Sequence, residues 1–80
     1  MKYNVYAMRD ELQDDFGTPI IDVNDDTAKR NFRYGIASSK DVRLFAPYDF
    51  ALYRIGSYDS ATGVIESEPA VLIDRGVKRD

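Results

Sequence analysis

The chain has 80 residues, a formal net charge of −3, no histidine and no cysteine. This length allows one domain with a small core, and the missing residue types exclude disulfides, thiolate zinc sites and histidine-based catalysis. No stretch approaches the roughly 20 apolar residues of a membrane-spanning helix, so no membrane association is expected.

The N-terminal third of the chain predicts extended structure around an acidic loop. Residues 1–9 alternate in the manner of a strand, with bulky side chains on both faces, which favours a central position in a sheet. Residues 10–17 are acidic and break the alternation, which predicts a solvated loop. The alternative is a cation site formed by Asp10, Glu11, Asp14 and Asp15, which is not favoured because their spacing fits no calcium-binding loop. Residues 18–23 are predicted to form a short extended segment. Pro19 has no backbone N–H, but it stands at the start of the segment, where no hydrogen bond between strands needs that donor.

A helix is predicted next, over residues 25–38. Asn24 and the two aspartates after it can cap free N–H groups and suit the positive end of the helix. An apolar stripe follows at helical spacing, formed by Ala28, Phe32, Gly35 and Ile36. We expect Phe32 and Ile36 to face the sheet, and Gly35 to allow a close approach of helix to sheet.

A β-hairpin is predicted from Leu52 to Ile65, LYRIGSYDSATGVI. Its first arm is rich in β-formers, and its loop contains the turn residues Asp, Ser, Thr and Gly. Gly63 is expected in the left-handed conformation that closes the turn, since it has no Cβ to clash. Glu68 and Pro69 should end or bend the return strand, and residues 70–73 are a candidate last strand.

Together these elements predict an α+β fold. We expect a small antiparallel sheet of three to five strands with one helix across a face, in the order β-α-β-β with a possible short C-terminal strand. Residues 1–74 should form a single domain, and residues 75–80 a frayed, charged tail. Because neither a disulfide nor a thiolate zinc site stabilises so small a core, we expect a homodimer or higher oligomer. It should form through the apolar connection at residues 42–48 or by edge-strand pairing.

Positive charge is concentrated in the middle of the chain. Residues 27–58 carry six Lys or Arg against two Asp, and within them KRNFRY alternates cations with rings. Proteins that bind single-stranded nucleic acid often stack bases on rings and contact phosphates with cations. A solvated helix face beside packed core rings explains the same pattern. The candidate nucleic-acid-binding residues are Lys29, Arg30, Arg33, Tyr34, Lys40, Arg43, Tyr48 and Arg54.

No catalytic constellation is visible in the sequence. A nucleophilic triad would need a base beside Ser or Thr, and histidine is missing. The glycines are scattered rather than grouped in a phosphate-binding loop. We therefore expect a protein that is not an enzyme and that needs no cofactor and no metal.

Four sequence blocks resemble the small nonstructural protein of gokushoviruses, bacteriophages of the family Microviridae. They are LYRIGSYDSATG (52–63), KYNVYAMRDE (2–11), NDDTAKRNF (24–32) and PYDFALYRIG (47–56), and the similarity covers roughly residues 2–73. The resemblance implies a DNA-binding protein of the infected bacterial cytoplasm that is not a virion component. It also implies a part in single-stranded genome synthesis or in genome packaging.

Two functions are therefore expected as alternatives. The first is a phage accessory protein that binds single-stranded DNA weakly and without sequence preference. The second is a non-enzymatic interaction or assembly factor, whose basic residues bind an acidic surface of a phage replication or capsid protein. The two differ in their response to salt, since DNA binding should weaken steeply as ionic strength rises.

Overall fold

An antiparallel sheet with one long helix across a face forms the structure, a computed structural model that describes residues 1–77. The sheet order is β2-β1-β4-β5, and β3 also pairs with β1. The elements in chain order are β1 (Lys2–Asp10), β2 (Asp15–Phe16), β3 (Ile20–Asp22), α1 (Asp25–Ser38), α2 (Val42–Phe45), a 3-10 turn (Pro47–Asp49), β4 (Phe50–Asp59) and β5 (Val64–Arg75).

The predicted α+β class is confirmed, whereas the predicted order β-α-β-β is incomplete. Two short strands, β2 and β3, precede α1 and pair antiparallel with β1. They arise because β1 is a central strand: β4 pairs with one of its edges along the whole length. The chain therefore turns back at once to satisfy the backbone groups of the other edge.

Helix α1 has the bounds that its caps predict. The side chain of Asn24 accepts a hydrogen bond from the Thr27 N–H, and at the other end the hydroxyl of Ser39 donates to the Ile36 carbonyl. Phe32 and Ile36 are buried, as predicted. They pack with Tyr6, Leu52 and the other members of one apolar cluster, Ala28, Phe50, Met8 and Ile73.

Gly35 does not lie in a close contact, and the expectation that it permits one is wrong. A Cβ built on this residue would meet nothing within 4 Å. The close approaches lie elsewhere: a Cβ on Gly76 would stand 2.0 Å from the Pro47 carbonyl oxygen, and a Cβ on Gly56 would stand 2.3 Å from the Glu66 carbonyl oxygen. Gly76 and Pro47 belong to separate segments, and Gly56 and Glu66 lie on the two arms of the hairpin, so helical spacing could not reveal either contact.

The return strand of the hairpin and the candidate last strand at residues 70–73 are one strand, β5. Arg54 pairs with Val71 and Gly56 with Ser67, so three residues of β5 stand opposite the single residue Ile55. Pro69 lies in this bulge, where its missing N–H breaks no ladder bond on an edge strand. The bend therefore interrupts the pairing without ending the strand.

The tail predicted over residues 75–80 is described only in part. Arg75 ends β5, and the N–H of Gly76, which is buried, donates to the Phe50 carbonyl over 2.8 Å. Residues 78–80 lie outside the described residues.

The hairpin turn places Gly63 in the left-handed region, with φ at 76°, as predicted. Its N–H donates to the Asp59 carbonyl over 2.7 Å, which closes the loop. We expect Gly63→Val to lower the free energy of unfolding by more than about 1 kcal/mol, because a β-branched residue is strained at positive φ. Urea unfolding of this variant beside Ala61→Val, in the same loop, measures the difference, and equal stabilities would contradict the assignment.

Candidate functional site

Three of the six predicted basic residues are ion-paired within the fold. Arg33 forms two hydrogen bonds to Asp74, of 2.7 and 2.9 Å, and Arg43 forms a fork with Asp41. Arg54 donates to Asp25 over 2.6 Å. The guanidinium N–H groups of these arginines bind aspartate carboxylates, and the negative charges of those aspartates compensate the positive charges of the arginines.

Two of the candidate cations also lie at opposite ends of α1. Asp25, the partner of Arg54, is in the first turn of the helix, whereas Lys40 follows its last turn. A helix of 14 residues is about 21 Å long, so these two candidate residues are separated by roughly that distance. The structure therefore divides the predicted basic site instead of bringing all eight candidate residues together.

The remaining cations form no ion pair within residues 1–77. They are Lys29, which is partly exposed, and Arg30 and Lys40, which are exposed. Arg30 stands four residues before Tyr34, so the two share a face of α1. Lys29 and Arg30 lie just before the midpoint of α1, and Lys40 follows its C-terminal end.

Three aromatic rings near the same end of α1 are largely exposed. Tyr34 is 72% exposed, Phe45 of α2 is 86% exposed, and Tyr48 of the 3-10 turn is 59% exposed. An apolar cleft of about 300 Å³ opens between these elements, lined by Tyr34, Leu44, Pro47, Val77 and their neighbours Arg33, Ile36, Ala37 and Gly76. Rings and cleft together can receive a flat, apolar group such as a nucleobase.

A buried polar chain fixes the N-terminus of α1 to the sheet. The hydroxyl of Tyr6, whose side chain is fully buried, donates to Asp25 over 2.6 Å and accepts from the Asn4 amide over 3.0 Å. Burial and the bond to Asp25 raise the pKa of Tyr6 to about 12. The Tyr6 bond also lowers the pKa of Asp25, with help from Arg54. These hydrogen bonds orient the helix, and they leave none of the polar groups that form them available for catalysis.

The Arg33–Asp74 pair predicts a loss of stability in acid. The hydrogen bonds from Arg33 lower the pKa of Asp74, whose side chain is 8% exposed. A carboxyl with a lowered folded-state pKa stabilises the protein above its unfolded pKa of about 3.9, and this contribution is lost as pH falls through the lower value. We expect the free energy of unfolding to fall below about pH 4, and to fall less steeply in Asp74→Asn. An equally steep decrease in that variant would contradict the role of the pair.

One further surface was not predicted from the sequence: the sheet face opposite α1. Pairing partners share a face, so the register places β1, β4 and β5 side chains there together. Tyr3 stacks on Tyr58 with ring centroids 6.3 Å apart, and Phe16 meets Tyr53 edge-on at 5.7 Å. We call this surface the open face, formed by Tyr3, Val5, Ala7, Arg9, Phe16, Ala51, Tyr53, Gly56, Tyr58, Ile65, Ser67, Leu72 and Arg75.

The sequence did contain a signal for the open face, in the alternation of residues 3–9 and in the four rings. What it could not show was that the single long helix covers only the opposite face. Within residues 1–77, no helix is long and apolar enough to cross a membrane. The same residues contain no group of three or more acidic side chains placed to bind a metal ion.

Comparison with known proteins gives one match. The chain resembles no curated protein and no solved structure closely enough to be matched. Residues 3–78, however, match the family described as Phage ORF5 protein. The match includes every strand and helix described above except for Lys2, the first residue of β1, and the chain therefore belongs to the Phage ORF5 protein family.

Proposed function

We propose that this phage protein is a non-enzymatic accessory factor that binds single-stranded DNA weakly, without sequence preference, during genome synthesis or packaging. The sequence blocks that resemble gokushovirus nonstructural proteins support this function, and the resemblance implies that the protein acts in the cytoplasm of the infected bacterium. The family match supports a phage protein, and it agrees with the phage origin that these sequence blocks imply.

One observation carries the proposal: three exposed rings lie around the C-terminal end of α1, and the cations of α1 and its exit, Arg30 and Lys40, have no carboxylate partner within residues 1–77. The rings of Tyr34, Phe45 and Tyr48 expose apolar surface to water, and a nucleobase stacked on them would cover that surface. Arg30 and Lys40 are placed to contact phosphates on either side of Tyr34 along the chain. Bases stacked on rings and phosphates paired with cations give affinity without base-specific hydrogen bonds.

The ion pairs change the roles within the candidate set. Lys29, Arg30, Tyr34, Lys40 and Tyr48 remain the proposed DNA contacts, and Phe45 joins them. In contrast, Arg33, Arg43 and Arg54 stabilise the fold, each through an aspartate. Because few free cations remain, the affinity should be modest and the salt dependence shallow.

The same ion pairs favour a second candidate, a protein–protein role. Compensating three of six cations lowers the local attraction for a polyanion, while the exposed apolar rings suit a protein surface as well as a base. In this case the partner is a phage replication or capsid protein with an acidic, apolar docking surface. The protein would then bind no DNA, even at low salt.

Fluorescence anisotropy with a labelled oligothymidine, titrated at several salt concentrations, tests the first function. We expect log K to fall linearly with log salt, and Arg30→Glu with Lys40→Glu to abolish binding at moderate salt. Replacing the same two residues by Gln should reduce the slope by about 1.4, at 0.7 per lost phosphate contact.

The matched control is Lys2→Glu with Arg75→Glu, which changes the net charge equally on exposed residues far from Tyr34 in the sequence. This pair should retain most of the binding, whereas equal losses in the two pairs would show that only net charge matters. Tyr34→Ala should weaken binding with little change in slope, because a stacked ring contacts no phosphate. Absence of binding by the wild-type protein at low salt would favour the protein–protein role.

A further inference from the structure

We propose that the open face binds the open face of a second copy, so that the protein is a dimer of two sheets packed face to face. The first observation is the balance of apolar residues. Nine hydrophobic residues are buried, whereas 16 large hydrophobic side chains are exposed within residues 1–77. Four of the exposed ones lie on or beside the open face: Phe16, Ile21, Ile65 and Leu72.

The shape of the open face suits a packed sheet. Small buried residues form its lower parts: Gly56 lies between the Tyr3–Tyr58 and Phe16–Tyr53 pairs, Ala7 lies opposite Tyr53, and Ala51 lies in the row of Phe16. Two sheets pack with their side chains interdigitated about 10 Å apart, so rings of one copy can fill the lower parts of the other. A small offset between two copies would therefore place the rings of each over the small residues of the other.

Of the two cations on this face, Arg9 is already balanced within one copy, and Arg75 stands at the end of the edge strand β5. Arg9 lies over the Phe16 ring, 5.5 Å from its centroid, and donates to Glu11 and Asp14 over 3.1 and 2.9 Å. The hydroxyl of Tyr53 donates to the second oxygen of Glu11 over 3.0 Å. A partner of strong opposite charge is thus not needed, and the acidic residues at 10–15 border the face and would repel a phosphate backbone.

The area is sufficient for a dimer interface. Three strands of nine or more residues, about 4.8 Å apart at about 3.3 Å per residue, and the five residues of β2 and β3 along one edge give a footprint of roughly 500 Å² per copy. Two such footprints bury roughly 1,000 Å² in total, about the smallest area of a specific protein interface. The apolar cleft at α1 lies on the other side of the sheet and stays free.

The two dimer interfaces expected from the sequence, the sheet edge and the connection at residues 42–48, are less suited to dimerisation than the open face. The free edge of β5 carries Pro69 and two register shifts, features that disfavour extension of a sheet by another strand. The connection at residues 42–48 offers one short helix, with less area than a four-stranded face. A face-to-face dimer would also leave both α1 helices outward, so a long strand of DNA could contact two copies.

Sedimentation of the full chain across the micromolar range tests the proposal, and it does not depend on DNA binding. We expect a dimer for the wild type. Ile65→Glu with Leu72→Glu should raise the dissociation constant at least about 100-fold, because burying unpaired charges is costly. The control is Val64→Glu with Val71→Glu, on the neighbouring positions of β5 that point to the opposite face, and it should remain dimeric.

A second measurement does not depend on disruptive variants. The chain has no cysteine, so Ser67→Cys on the open face and Glu66→Cys on the other face each introduce a single thiol. Maleimide labelling should be slow for the first and fast for the second in the dimer. A monomeric wild type, a dimer that survives the open-face change, or equal labelling of the two thiols would each overturn the proposal. A monomer whose DNA affinity falls in the open-face variant would instead assign this face to bases.

Discussion

Replacing Phe32 by alanine should lower the free energy of unfolding by about 3–5 kcal/mol, the usual cost of truncating a buried aromatic ring. Phe32 is 9% exposed and packs in the cluster that joins α1 to the sheet. Small domains are stable by only about 5–15 kcal/mol, so this one substitution removes much of the total. The variant should therefore unfold at far lower urea or at a far lower temperature.

The matched control for this substitution is Tyr34→Ala, two residues along the same helix. Tyr34 is 72% exposed, so its loss should change stability by no more than about 0.5 kcal/mol. Circular dichroism in urea, at equal protein concentration, compares the two variants. Similar stabilities for Phe32→Ala and the wild type would contradict the assignment of Phe32 to the core and would make its ring a new candidate for DNA stacking.

Replacing Gly56 by alanine should destabilise the sheet by about 1–3 kcal/mol, because the added Cβ would overlap the backbone of the paired strand. It would stand 2.3 Å from the Glu66 carbonyl oxygen and 3.4 Å from the Ser67 Cα. Neither atom can rotate away, since both belong to the main chain of β5. The strands must separate at the bulge, so the open face would also change shape.

Gly35→Ala is the control for this effect, because the same substitution is made where there is space. A Cβ on Gly35 meets no atom within 4 Å, and alanine is favoured over glycine inside a helix. We expect this variant to gain about 0.5–1 kcal/mol in the free energy of unfolding. Thermal denaturation should then show opposite shifts for the two glycines; a loss of stability at both would contradict the geometry described for α1.

Local sequence determined those parts of the fold that depend on neighbouring residues. The caps of α1, its buried stripe at Phe32 and Ile36, and the positive φ of Gly63 each follow from the preferences of a few consecutive residues. The pattern of charges and rings likewise identified Arg30, Tyr34 and Lys40, which do stand in solvent. These predictions are reliable because helix caps, helical periodicity and tight turns have local physical causes.

Only the tertiary structure decided which cations are free and which sheet face is open. Arg33 and Asp74 are 41 residues apart in sequence, and Arg54 and Asp25 are 29 apart, so their bonds exist only once the strands are paired. The same holds for Tyr3 on Tyr58, for the bulge opposite Ile55, and for Gly56 against Glu66. Each depends on strand register. The turn at residues 59–63 sets the register at the hairpin end of β4 and β5, but the pairing of β1 with β4 and the register shift at Ile55 come only with the folded sheet.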